Sequence, residues 1–195
     1  MNPSKKRSSP RTPAVAGKFY PENPVELEKK IACHLGDLSK NKRKAIGVVS
    51  PHAGLIYYGD VAGAVYSRIE IPETVILLGL NHTGQGEGIV KVLEQKGKTA
   101  LIIASSDMTH FESHKVAEEK DKKAISKIEN RDALSLDETV RQEQISMCGV
   151  NPVTVMLLCC EKLGAQKSEL IEYKTSGDVN GDKNRVVGYA GVIVT

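Results

Sequence analysis

Ile46-Gly47-Val48-Val49-Ser50-Pro51-His52-Ala53-Gly54 decides the architecture of this chain, because an apolar run of strand length breaks at a proline and delivers a histidine. The pattern recurs twice. Thr74-Val75-Ile76-Leu77-Leu78-Gly79-Leu80 leads into Asn81-His82-Thr83-Gly84, and Ala100-Leu101-Ile102-Ile103-Ala104 leads into Ser105-Ser106-Asp107-Met108-Thr109-His110. Runs that are β-branched or aliphatic at both alternating positions suit strands buried on both faces, as in the parallel sheets of α/β proteins. Loops at the carboxyl ends of such strands gather along one edge of the sheet, where ligands bind. The expected fold is therefore α/β, with a largely parallel or mixed central sheet flanked by helices. Three of the five histidines are expected to converge on one site.

Helical signals fill the intervals. Asn23-Pro24-Val25-Glu26 combines a cap, a first-turn proline and a carboxylate, and Leu27, Ile31, Leu35 and Leu38 continue at helical spacing. Asp60 to Tyr66 carries small residues suited to close packing on a sheet. Glu112 to Asn130 reads as a surface helix, and Ser135-Leu136-Asp137-Glu138 as a capping box opening a shorter one to about Gln144. Asn151-Pro152 is the expected cap of an apolar helix from Val153 to Leu163 that stops at Gly164. Two last strands, Glu169 to Tyr173 and Val186 to Val194, complete the sheet. The joint between the second and third strands is unusual: Ile89 to Gln95 is short for a parallel crossover, which ordinarily takes a dozen residues or more. Gly84, Gly86 and Gly88 lack dinucleotide-loop spacing.

A chain of 195 residues fits one domain, residues 13–195, behind a basic tail, residues 1–12, too polar to bury surface. The net charge of +3 is more than accounted for by that tail, so no basic face recommends nucleic acid as a partner. No apolar stretch approaches the roughly 20 residues that span a bilayer, and no secretory leader follows the basic N-terminus. A cytoplasmic location is expected. Cys33, Cys148, Cys159 and Cys160 lack C-x-x-C spacing and suit reduced thiols.

The candidate chemistry lies in the loops. Cys148, in Ser146-Met147-Cys148-Gly149, sits just ahead of a helix N-terminus, whose dipole favours thiolate. With His52 and His82 it makes a set of three metal ligands with room for water, substrate or oxygen. The soft thiolate selects iron, copper or zinc over magnesium or calcium. Asp107 and His110 are the candidate catalytic pair, the carboxylate fixing the tautomer of a proton-transferring imidazole. A metal-free arrangement, with Cys148 as nucleophile and a histidine as base, uses the same residues. Asp178 and Asp182 could reach the rim, or simply close a turn.

Pro13-Ala14-Val15-Ala16-Gly17-Lys18-Phe19-Tyr20-Pro21, the three histidine motifs, Ser146-Met147-Cys148-Gly149 and Tyr173-Lys174-Thr175-Ser176-Gly177-Asp178 resemble, in order, the Memo family. Prokaryotic members are called AmmeMemoRadiSam system protein B. The resemblance implies a fold similar to that of class III extradiol dioxygenases. It also implies a mononuclear metal, iron first with copper or zinc as alternatives, on His52, His82 and Cys148, with Asp107 and His110 beside it. An unknown small molecule as substrate, and AMMECR-type and radical-SAM proteins as partners, are implied as well. A metal-dependent redox or dioxygenase-like enzyme is the expected function, and a peptide- or protein-binding adaptor the alternative. Between Gly86 and Val92 the chain departs from the family by lacking a long middle segment.

Overall fold

The computed structural model describes residues 12–37, 41–79, 89–90, 93 and 99–195. Helix α1 (Pro24–Leu35) opens at Asn23, whose side-chain oxygen accepts from the Val25 and Glu26 amides, the expected cap. Strand β1 (Gly47–Ser50) is fully buried and is followed by α2 (Leu55–Tyr66). Strand β2 (Val75–Leu78) precedes β3 (Leu101–Ser105) and the short β4 (His110–Glu112). Helices α3 (His114–Glu129), α4 (Ala133–Gln142) and α5 (Val150–Lys162) come next. Strand β5 (Ser168–Thr175), the single turn α6 (Gly177–Asn180) and β6 (Val186–Val194) finish the chain.

The sheet is mixed. β2 and β1 flank β3 and run parallel to it, while β6 lies antiparallel to β1 and to β5. Alternation along the strands divides the core into two layers. Val49, Ile102, Ala104 and Val192 face α3, α4 and α5, whereas Val48, Leu101 and Ile193 face Val65 of α2 and Ile69 just beyond it. Apart from Ala104, each of these buried aliphatic side chains contributes about 1.5–3 kcal/mol.

Strand β4 was not legible in the sequence, and it shapes the site. β6 is longer than β1, so β1 pairs only with its carboxyl half, through Val192 to Val194. Beyond the end of β1 the chain leaving β3 takes over the same edge. The Met108 amide donates to the Gly188 carbonyl and the Gly188 amide to the Thr109 carbonyl, before His110 pairs with Val187. The segment Ser106–Thr109 thus crosses the mouth of β1.

Three expectations are corrected. β2 is not buried on both faces: Val75 and Leu77 are 43% and 68% exposed, because no described helix covers that side of the sheet's edge. Helix α4 starts before the expected capping box, since the Asp132 side chain accepts from the Ser135 amide and caps one turn earlier. Helix α5 likewise begins at Val150 with Gly149 as its cap, and Pro152 is accommodated in the first turn, where its missing N–H has no partner to lose. The short crossover is partly helical, at Ile89, Val90 and Leu93, the last two buried. The basic tail up to Arg11 and the loop carrying His82 lie outside the described residues.

Candidate metal centre

Three segments meet where β1 ends. Pro51 takes the chain off the sheet and leaves His52 at its carboxyl edge. The crossing segment presents Asp107, 4% exposed, and the turn before α5 presents Cys148. Two contacts hold His52 in place: its amide donates to Asp107 Oδ1 at 2.8 Å, and its Nδ1 lies 2.8 Å from Ser105 Oγ. With Nδ1 engaged, Nε2 faces the cluster, 3.5 Å from Cys148 Sγ and 4.0 Å from Asp107 Oδ2. Cys148 Sγ in turn accepts from the Asp107 amide at 3.3 Å.

One donor atom from each of His52, Asp107 and Cys148 falls within 4.8 Å of the other two. Ligands about 2.0–2.3 Å from a tetrahedral ion are separated by roughly 3.3–3.8 Å, a range the 3.5 Å approach of His52 to Cys148 already meets, while the widest separation in the set, within 4.8 Å, would close by up to about 1 Å around a metal. Nitrogen, carboxylate oxygen and sulfur together suit iron, copper or zinc. The fit is chemical as well as geometric. Burial pushes the Cys148 thiol up, and the Asp107 carboxylate adds to the effect against the lowering influence of the Asp107 amide. Burial thus opposes the thiolate that a helix N-terminus favours, and a cation between the three groups is what would favour the anion.

The expected residues separate into groups. His52 and Cys148 lie together, and Asp107 lies inside the cluster rather than beside it. His82 lies outside the described residues. His110 is held by the same turn that carries Cys148: its amide donates to Ser146 Oγ and its Nδ1–H to the Ser146 carbonyl. That bond fixes the tautomer and leaves Nε2 as the acceptor when the ring is neutral. The next residue, Phe111, has φ +65° at an irregularity in the β4 register, a strained conformation of the kind that gathers at functional sites. Asp178 closes a turn, its Oδ2 accepting from the Thr175 amide and hydroxyl, and Asp182 accepts from the Asn184 amide.

Ser106 and Gly149 were missed in the sequence, although the glycine after Cys148 was a signal. The Gly149 amide donates to Ser106 Oγ at 3.0 Å, and Ser106 Oγ donates to the Asp107 carbonyl at 2.8 Å. A Cβ on Gly149 would overlap Ser106 Cβ and crowd the Ser105 carbonyl. Gly149→Ala is accordingly expected to destabilise by about 1–3 kcal/mol through overpacking, read as a lowered urea midpoint, and to lower metal occupancy in the same preparation.

The fold and this cluster define an α/β protein with a histidine–aspartate–cysteine site at the carboxyl edge of an open mixed sheet. A model of the Memo-like protein family matches residues 11–101 and 85–193, and the chain belongs to the Memo family. A MEMO1 family protein of Methanosarcina barkeri is 31% identical over 263 residues, covering 94% of this chain and 99% of the relative. Another from Methanopyrus kandleri is 31% identical over 277 residues, covering 94% and 98%. One from Aquifex aeolicus is 32% identical over 262 residues, again covering 94% and 98%. These alignments are longer than the 195 residues available, so a block of each relative has no counterpart here. The two family matches overlap at residues 85–101, which locates the break at the short crossover.

Proposed function

We propose that this chain holds one transition-metal ion, iron in the first instance, and performs metal-dependent redox or dioxygenase-like chemistry on a small molecule. The observation that supports this is the approach of three chemically suited donor atoms to within 4.8 Å at the ligand-binding edge of an α/β sheet. His52 binds through Nε2 while Nδ1 is held by Ser105, an arrangement in which the second ring nitrogen orients the first. Cys148 supplies the soft donor, and Asp107 the carboxylate, with Oδ1 already anchored on the His52 amide. His82, implied by the family resemblance, is the further ligand in this proposal. Bound there, iron would supply one-electron redox and oxygen chemistry, and zinc a Lewis acid.

His110 accepts a proton at Nε2, since its Nδ1–H is committed to the Ser146 carbonyl. Asp107, almost wholly removed from solvent, keeps water away from one side of the cluster. The metal-free thiol reading has in its favour the 3.5 Å approach of Cys148 Sγ to His52 Nε2. It has against it the burial that pushes the Cys148 thiol up, away from the nucleophilic anion.

Elemental mass spectrometry of anaerobically purified full-length protein tests the proposal. Near-stoichiometric iron, copper or zinc is the expected result. Absence of metal from protein with native circular dichroism, even after reconstitution, would overturn it.

A further inference from the structure

On the α2 side of the sheet a cavity of about 460 Å³ shares its wall with the candidate metal centre. His52 and Ser105 belong to both, while Asp107 and Cys148 do not line the cavity. Its floor is the uncovered sheet, where Leu77 and Ile103 sit side by side in the β2–β3 register. Its far wall is α1, through Leu27, Ile31 and Leu35. At the end formed by the last residues of β1 and β3 the lining becomes polar without becoming charged. Ser50, Tyr58, Tyr66 and Ser105 line it there beside His52.

The described lining contains no lysine, arginine, aspartate or glutamate. His34 is its one ionisable group besides His52 and the phenols. His34 Nδ1 is taken by Asp60 Oδ1 at 2.8 Å, and Asp60 Oδ2 by Lys174 at 2.9 Å, so that ring nitrogen is already partnered by groups outside the lining. A charged ligand held within this lining would surrender its hydration with no charged side chain of the described lining in return, and only a cation bound at the neighbouring centre could offset that loss. An uncharged ligand loses little and gains the apolar wall.

We infer that this cavity binds an uncharged, largely apolar small molecule with one polar end, its apolar body along α1 and β2 and its hydroxyl or carbonyl toward Tyr58, Ser105 and His52. The inference deepens the proposed function by naming the chemical class of ligand, and it rests on that reading in treating the polar end as the end nearest the chemistry.

A matched pair of probes separates charge from shape: 2-naphthol and 2-naphthoate share a ring system and differ in charge at neutral pH. The chain contains no tryptophan, so naphthyl fluorescence can be followed without indole emission. Titrations of the full chain, freed of metal with a chelator so that no cation at the centre pairs with the carboxylate, are expected to show 2-naphthol binding at least about tenfold tighter than 2-naphthoate. Ile31, 42% exposed, can be changed without opening the core, and Ile31→Lys is expected to reverse that order. Equal binding of the two probes, no 2-naphthol binding to protein with native circular dichroism, or an unchanged preference in Ile31→Lys would each overturn the inference. Naphthol binding in a chain that takes up no metal would retain the cavity assignment and discard only its link to metal chemistry.

Discussion

Cys148→Ser is expected to leave anaerobically purified protein with roughly a tenth or less of the wild-type metal, because it removes the one soft donor while preserving volume and hydrogen bonding. His52→Ala is expected to do the same. Loss of a group that merely orients a ligand costs about 10–100-fold in affinity, and loss of a ligand itself costs more. Ser105→Ala, which frees His52 Nδ1, belongs to the milder group. Asp107→Asn discriminates between two roles. Asparagine can still accept from the His52 amide through Oδ1, so a loss of metal as deep as in Cys148→Ser would mark the Asp107 carboxylate as a ligand, and a mild loss as a support. His82→Ala in the same series tests the ligand implied by family resemblance. Metal content unchanged across all of these variants would remove the proposed centre.

The second large effect is on stability. Asp121, 0% exposed, accepts from the Thr109 amide at 2.9 Å and from the Tyr173 hydroxyl at 2.8 Å. Gly188 of β6 lies against it, and any Cβ there would collide with Asp121 Oδ2, so the carboxylate occupies space that only a glycine leaves open. Asp121→Ala strands a buried amide and a part-buried hydroxyl and is expected to cost about 3 kcal/mol in urea denaturation. Asp121→Asn can accept from the Thr109 amide and donate to the Tyr173 oxygen, and is expected to cost less than about 1 kcal/mol. An equal loss in the two variants would contradict the hydrogen-bond account.

The two variants also predict a pH effect. Desolvation pushes Asp121 above its ordinary value of 3.8, against the lowering influence of its hydrogen bonds and of His110. The folded state therefore binds more protons than the unfolded state between 3.8 and the raised value. Across that window this group's contribution to stability falls as pH rises. Asp121→Asn is expected to remove that downward slope, which urea midpoints measured from mildly acidic to neutral pH would show.

Much of this was legible in the chain itself, for physical reasons that differ by element. Val48, Val49, Leu101 and Ile102 are 0% exposed, as continuous apolar runs imply, and the histidine after β1 stands where a carboxyl-edge loop should. Cys148 ahead of α5 was equally readable. The place of Asp107 was not, because it depends on β6 outrunning β1, a difference in strand length that appears only when the strands pair. The exposure of Leu77 was hidden too, since an aliphatic run does not disclose whether a neighbouring layer exists to cover it. The state of the Cys148 thiol depended on a balance between a helix end and burial, and burial is a property of the assembled fold.

The crossing of Ser106–Thr109 over the mouth of β1 has a kinetic consequence. His52 and Asp107 are 55 positions apart in the chain, and His52 and Cys148 are 96 apart, so their meeting requires β1, β3 and β6 to have docked first. Contacts of such long sequence separation form late, after most loop-closure entropy has been spent. A cation arriving at the nascent polypeptide finds scattered donors with no common geometry, and its selectivity can act only once the chain is native. Under the proposed function, maturation of such a centre would be a loading step on a finished scaffold, approached from the sheet edge where the three donors meet.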